Sequence, residues 1–199
     1  MKKHTSRELQ ALKAKQKIYE AAVELFDKNG FENTTIADIA RKTGMSVGSF
    51  YHYYSSKGDI YYEFFIKIDE YYAQTVEPQL VAEDFYDDVI LFFKHYALYI
   101  IERGPVSVGH LFRTQDIFFI SNERYMYKLL TAILNKGKAN NQLASGMDVA
   151  EIADFLRVIA RGIVYDWLLH EGDHDLEAKM VRSITLIMRK LISGSKAVG

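Results

Sequence analysis

The sequence contains no cysteine, only two prolines and a single tryptophan among its 199 residues, and each scarcity excludes something. Without thiols there is no disulfide framework, no thiolate metal site and no cysteine nucleophile, a composition in keeping with a reducing cytosol. Pro78 and Pro105 are too few to punctuate the chain. Short clusters of Gly, Asn and Ser must therefore mark the turns between long apolar-periodic stretches, which reads as an all-α protein. No apolar run reaches the length of a membrane span, and the basic start MKKHTSRELQALKAKQK lacks the apolar stretch of a secretory signal, so the expected location is cytoplasmic. There is no phosphate-binding glycine loop, serine nucleophile elbow or nucleotide fingerprint, and neither catalytic residues nor a cofactor nor a metal is expected.

What is present is 49% apolar and 26% charged residues, the makeup of a globular chain. The net charge of -1 hides an asymmetry: residues 1–60 carry ten basic against seven acidic side chains, and the remainder is acidic on balance. Lys2, Lys3, Arg7, Lys13, Lys15 and Lys17 crowd the start, opposed there by Glu8 alone. Such an arm suits a phosphate backbone, and equally suits a solvated helical face.

Apolar periodicity and cap residues predict about nine helices. The first runs over 6–29, with Ile18, Ala21, Ala22, Leu25 and Phe26 at helical spacing and Gly30 as its stop. Thr35 with Asp38 caps a short second helix ending at Gly44; Ser46 opens a third, through Tyr53; Ser56 with Asp59 opens a fourth toward Val76. Further helices are expected at 84–103, 106–114, 122–140, 149–170 (capped by Asp148) and 175–192. Three short helices followed by six longer ones divide the chain into a domain over 1–56 and a larger one over 57–199.

Between Thr35 and Ile60 the pattern parses as a helix-turn-helix. Ile36, Ile39 and Ala40 face inward on the first helix, Gly44 turns the chain, and Phe50 and Tyr54 face inward on the second. That leaves Val47, Ser49, Tyr51 and His52 outward at the start of a short helix, where side chains reach base edges in a major groove. A plain helical corner with aromatic packing is the alternative.

Residues 7–60 resemble the TetR family of transcriptional regulators. The matching positions are Thr35, Ile39, Ala40, Gly44, Met45, Ser46, Gly48, Phe50, Tyr51, Tyr53, Tyr54, Ser56, Lys57 and Ile60. The resemblance implies that Thr35 and Lys57 anchor phosphates, that Ser46, Val47, Gly48 and Ser49 lie in the major groove, and that Tyr51, His52 and Tyr53 bridge groove and backbone. Val47 stands where many relatives carry lysine, and Gly58 where glutamate is usual. The implied protein is a homodimer on a palindromic double-stranded operator, a repressor released when a small-molecule effector tilts the helix after Lys57.

Two stripes in the larger domain, one with Ile152, Phe155, Ile159 and Ile163, the other with Met180, Ile184, Ile187 and Leu191, either pack on their own core or, as the resemblance implies, form the dimer interface. The aromatic-rich stretch from 85 to 130, with Trp167, holds the expected effector cavity, its lining drawn from Tyr96, His110, Arg113, Phe118 and Trp167; an aromatic stripe of this kind also serves simply as core. His170-Glu171-Gly172-Asp173-His174 matches the H-E-x-x-H spacing of zinc hydrolases, which requires an unbroken helix. Gly172 and Asp173 instead suggest an interhelical turn, so a metal-binding or zinc-hydrolase protein is the alternative reading only.

Overall fold

The computed structural model describes residues 5–113, 121–143, 146 and 148–191, leaving aside the side chains of Tyr61, His110 and Arg113. Its described residues form eight α-helices and no strand: α1 Ser6–Asn29, α2 Ile36–Thr43, α3 Val47–Tyr51, α4 Asp59–Tyr71, α5 Phe85–Arg113, α6 Tyr125–Ala139, α7 Val149–Leu169 and α8 Leu176–Leu191. The expected pair at 84–103 and 106–114 is one continuous element interrupted at Gly104, whose φ of 75° and ψ of 159° are not helical. Pro105 follows, and without an N–H it cannot continue the ladder, so α5 is two helices meeting at a kink. The expected long fourth helix likewise changes character, passing after Tyr71 into a π turn over Tyr72–Val76 and a 3-10 turn over Glu77–Gln79 around Pro78.

The chain divides into two compact units, Met1–Ile66 and Lys67–Gly199, the division falling inside α4. In the first unit Ile18, Ala22 and Phe26 of α1, Ile39 and Ala40 of α2, and Phe50 and Tyr54 around α3 are buried together with Ile60 and Phe64. Three caps fix the short elements. Thr35 and Asp38 form a reciprocal capping box on α2, Ser46 Oγ accepts from the Ser49 N–H, and Ser56 exchanges hydrogen bonds with Asp59 at the start of α4. Helices of eight and five residues are marginal in isolation, so these caps and the buried face hold them.

In the second unit α5 packs on α6, α7 and α8. Its core includes Tyr72, Phe85, Phe93, Ile100, Leu130, Leu134, Leu156, Met180 and Ile184. Gly137 of α6 lies so close to Phe85 that a Cβ there would sit 2.5 Å from the ring, so glycine is required for α6 to approach α5. The buried Asp88 carboxylate accepts from Lys136 Nζ at 3.2 Å and from the Ala82 N–H at 3.1 Å, tying the entry of α5 to α6. No helix among the described residues is long and apolar enough to cross a membrane.

Candidate nucleic-acid interface

The corner between α2 and α3 is built by Gly44. Its left-handed conformation (φ 70°, ψ 24°) ends α2, and the Met45 N–H then bonds back to the Ala40 carbonyl at 2.9 Å. Four residues after Ser46, Phe50 is fully buried and stacks edge-on against Tyr51 at 5.7 Å. Burying Phe50 and Tyr54 on one side turns the rest of α3 outward: Val47 is 43% and Tyr51 54% exposed, Gly48 and His52 are exposed, and Ser49 and Tyr53 are half-buried. The groove-facing set expected from the sequence is thus presented on one short helix, with an apolar Val47 and an aromatic Tyr51 both largely open to solvent.

The two expected phosphate anchors, Thr35 and Lys57, are arranged differently from one another. Thr35 is exposed, but its hydroxyl donates to Asp38 at 2.6 Å and accepts from the Asp38 N–H at 3.1 Å. These bonds hold the Asp38 carboxyl below its ordinary range, the Thr35 hydroxyl first and the Thr35 N–H next. Lys57 turns inward: its ammonium donates to the carbonyls of Phe31 at 2.5 Å and Thr34 at 2.9 Å and rests 4.1 Å above the Phe31 ring. The start of α4 is thereby clamped to the turn between α1 and α2, and the lysine expected on the outer face is committed inside the domain. Lys17 and Lys42 are also engaged, with the Thr43 carbonyl and Glu24. Arg7 and Lys13 remain exposed on α1, whereas Lys2 and Lys3 lie outside the described residues.

In the second unit Tyr96 is set among arginines that sequence reading did not single out. Burial pushes its hydroxyl above the ordinary range, and Arg124 and Arg161 oppose that shift. Arg161 is itself lowered, by burial first and by Arg157 next, one turn away on α7. Arg157 lies 4.5 Å over the Tyr127 ring and bonds Asp154 at 2.7 Å, while Arg124 takes Asp69 at 3.0 Å. The legible signal is the pair Arg157 and Arg161, four apart and the two basic residues of α7. Trp167 belongs elsewhere: its indole N–H donates to the His174 carbonyl at 3.1 Å, beside Pro105 and Gly172. The side chains of His110 and Arg113, and all of Phe118, lie outside the described residues.

Of the eight residues assigned to a dimer face, Ile152, Ile163, Met180 and Ile184 are buried in their own chain's core. Ile159, Ile187 and Leu191 are half-buried, and only Phe155 is exposed. α7 is apolar on both faces. Its outer ridge is Phe155, Val158, Gly162, Tyr165 and Leu169, at alternating spacings of three and four. The H-E-x-x-H segment is not helical: α7 ends at Leu169, and Glu171 (φ 54°) and Gly172 (φ 81°) turn left-handed. The two histidines therefore cannot stand on one helical turn with Glu171 between them, which removes the zinc-hydrolase alternative.

A capped tri-helical unit presenting one short helix outward defines a helix-turn-helix DNA-binding protein. Residues 18–64 match the model of the family described as bacterial regulatory proteins, tetR family. The first unit thus carries a DNA-binding domain of this family's kind, and the chain is a helix-turn-helix transcriptional regulator. It is 22% identical over 186 residues to an uncharacterized HTH-type transcriptional regulator, YvdT, of Bacillus subtilis, covering 88% of this chain and 94% of that one. The fold is similar to that of the transcriptional regulator FadR from Bacillus subtilis in complex with stearoyl-CoA, with a TM-score of 0.69 and 21% identity, over 87% of this chain and 96% of that one. It is also similar to SmeT, the repressor of the Stenotrophomonas maltophilia multidrug efflux pump SmeDEF, with a TM-score of 0.72, 17% identity and 91% of both chains covered.

Proposed function

We propose that this regulator binds a palindromic operator as a homodimer through α3 of each copy, and that an anionic, lipophilic small molecule bound in the second unit releases it. The observation that carries the DNA-binding part is the outward face of α3, where Val47 and Tyr51 are exposed with Gly48 between them. In this reading Val47 meets a thymine methyl, Gly48 admits close approach, and Ser49, Tyr51, His52 and Tyr53 contact base edges and phosphates. Ser46 caps the helix that does so, and Thr35 offers the N-terminal end of α2 to a phosphate. Arg7 and Lys13 supply the salt-dependent attraction that Lys57 does not.

The apolar ridge of α7 supports the dimer. Phe155, Val158, Tyr165 and Leu169 recur at the spacing of a helix-pairing seam, and Gly162 at its middle lets two helices come close. Effector chemistry follows from Arg161 near Tyr96 and Arg157 one turn before it over the Tyr127 ring: two guanidiniums in an aromatic surround favour an anion, and the FadR that shares this fold holds stearoyl-CoA.

The test is selection of bound duplexes from a random pool by the purified protein, followed by titration of the enriched operator complex with stearoyl-CoA, free stearate and coenzyme A. Enrichment of a palindrome and its release by an acylated anion support both halves. Absence of any enriched sequence sinks the operator reading, and a complex indifferent to all three compounds sinks the effector class while leaving the operator intact.

A further inference from the structure

The turn between α7 and α8 carries a group that neither DNA binding nor effector binding uses. Asp166, one turn before the end of α7, the capping residue His170 and the half-buried His174 bring one carboxylate oxygen and two imidazole nitrogens within 4.8 Å of one another. The His174 Nε2 lies 3.7 Å from Asp166 Oδ2 and, although buried, finds no hydrogen-bond partner among the described residues. A buried imidazole nitrogen aimed at a carboxylate without a bond to it is costly unless something else completes the arrangement. The other nitrogen of His174 is 3.5 Å from Asp173 Oδ1, the kind of outer carboxylate that orients a metal-bound histidine. The His170 and His174 rings meet edge-on with centroids 5.4 Å apart.

We propose that Asp166, His170 and His174 form a binding site for a divalent transition-metal ion of the zinc, nickel or cobalt type, clipping the end of α7 to the start of α8. Tetrahedral ligands at Zn–N and Zn–O lengths of about 2.0–2.2 Å stand roughly 3.3 Å apart, so small rotations of the two imidazoles suffice. Two imidazoles and one carboxylate suit these ions rather than calcium or magnesium, and the positions left over face solvent. This ligand set differs from the H-E-x-x-H reading: Glu171 takes no part, and the broken helix that forbids the hydrolase arrangement is what lets His174 fold back toward Asp166.

Lys179 of α8 now holds the Asp166 carboxylate. That hydrogen bond is the first cause holding the Asp166 carboxyl below its ordinary range, against burial, which raises it. An incoming ion must displace the ammonium, which makes Lys179 a competitor and supplies a variant with an effect opposite to loss of a ligand.

The single tryptophan reports on the site, because the indole of Trp167 is bonded to the backbone of His174. Untagged full-length protein is titrated with cobalt or nickel chloride while Trp167 fluorescence is followed, and zinc affinity is measured by competition with a chromophoric chelator. One equivalent per chain with quenching is expected. His170→Ala and His174→Ala should each weaken binding at least about tenfold, and Lys179→Met should tighten it, with operator affinity without metal unchanged in all three. His170 is exposed and Lys179 lies on the surface, so those two variants keep the test valid even if His174→Ala unfolds. Unquenched fluorescence, or affinities identical in wild type, His170→Ala and Lys179→Met, would overturn the proposal.

Discussion

Replacing Lys57 separates two roles that predict opposite outcomes. In the structure its ammonium bonds two backbone carbonyls and covers one face of Phe31. Charge-assisted hydrogen bonds contribute about 1.5–3 kcal/mol each when buried, and half-burial here reduces the pair to about 2 kcal/mol in total, with roughly 0.5 kcal/mol more from the ring. Lys57→Met keeps the alkyl contact and loses the bonds and the attraction of the charge to the ring; Lys57→Ala loses the alkyl contact as well. For a domain the size of the first unit, 1 kcal/mol moves the melting temperature by about 4–8 °C, so Lys57→Met should lower its thermal transition by about 10–20 °C. The paired assay is operator affinity as a function of salt, measured below that transition. A clamp leaves the slope of log affinity against log salt unchanged, whereas a lysine neutralising one phosphate contributes about 0.9 to it. Unaltered melting together with a slope reduced by about one would refute the clamp and return Lys57 to the phosphate backbone.

Gly137→Ala should destabilise the second unit by about 1–3 kcal/mol in chemical unfolding, because the new methyl meets Phe85, even though alanine is the better helix former; a higher melting temperature would contradict the close approach of α6 and α5. Val158→Asp on the outer ridge of α7 should yield monomers in sedimentation velocity and abolish tight operator binding, and a stable dimer would place the interface elsewhere. Acid titration tests the caps. Asp38 and Asp59 are both lowered from the ordinary 3.8, chiefly by hydrogen bonds from Thr35 and Ser56, so their contribution is present above that value and lost as pH falls through the lower folded one. Melting temperature followed from pH 7 downward should therefore decline less steeply below about pH 4 in Asp38→Asn and Asp59→Asn than in wild type. Parallel curves would deny the caps their electrostatic part.

Most of the first unit was legible because its determinants are local. Thr35, Ser46 and Ser56 bond backbone groups within three residues, Gly44 supplies a conformation that a side chain resists, and Phe50 and Tyr54 share a face by helical spacing alone. The same locality makes the outward set on α3 readable in the sequence. Lys57 escaped because its partners lie 26 and 23 residues earlier, and nothing in the spacing of a lysine says whether a carbonyl or a phosphate receives it. On α7 the apolar pattern was correct but two-sided, so only packing against α5, α6 and α8 showed that Ile152 and Ile163 are consumed within the chain while Phe155, Val158, Tyr165 and Leu169 stay outside.

The sequence by itself determined the helical class, the capped corner and the resemblance of the first unit to the tetR family, since these depend on hydrogen bonds and periodicities that close over a few residues. Tertiary structure alone decided which cations are spent on carbonyls, which apolar face is left over, and that Asp166 joins His170 and His174. Those outcomes depend on which groups meet across helices, and meeting is a property of packing that no local spacing encodes.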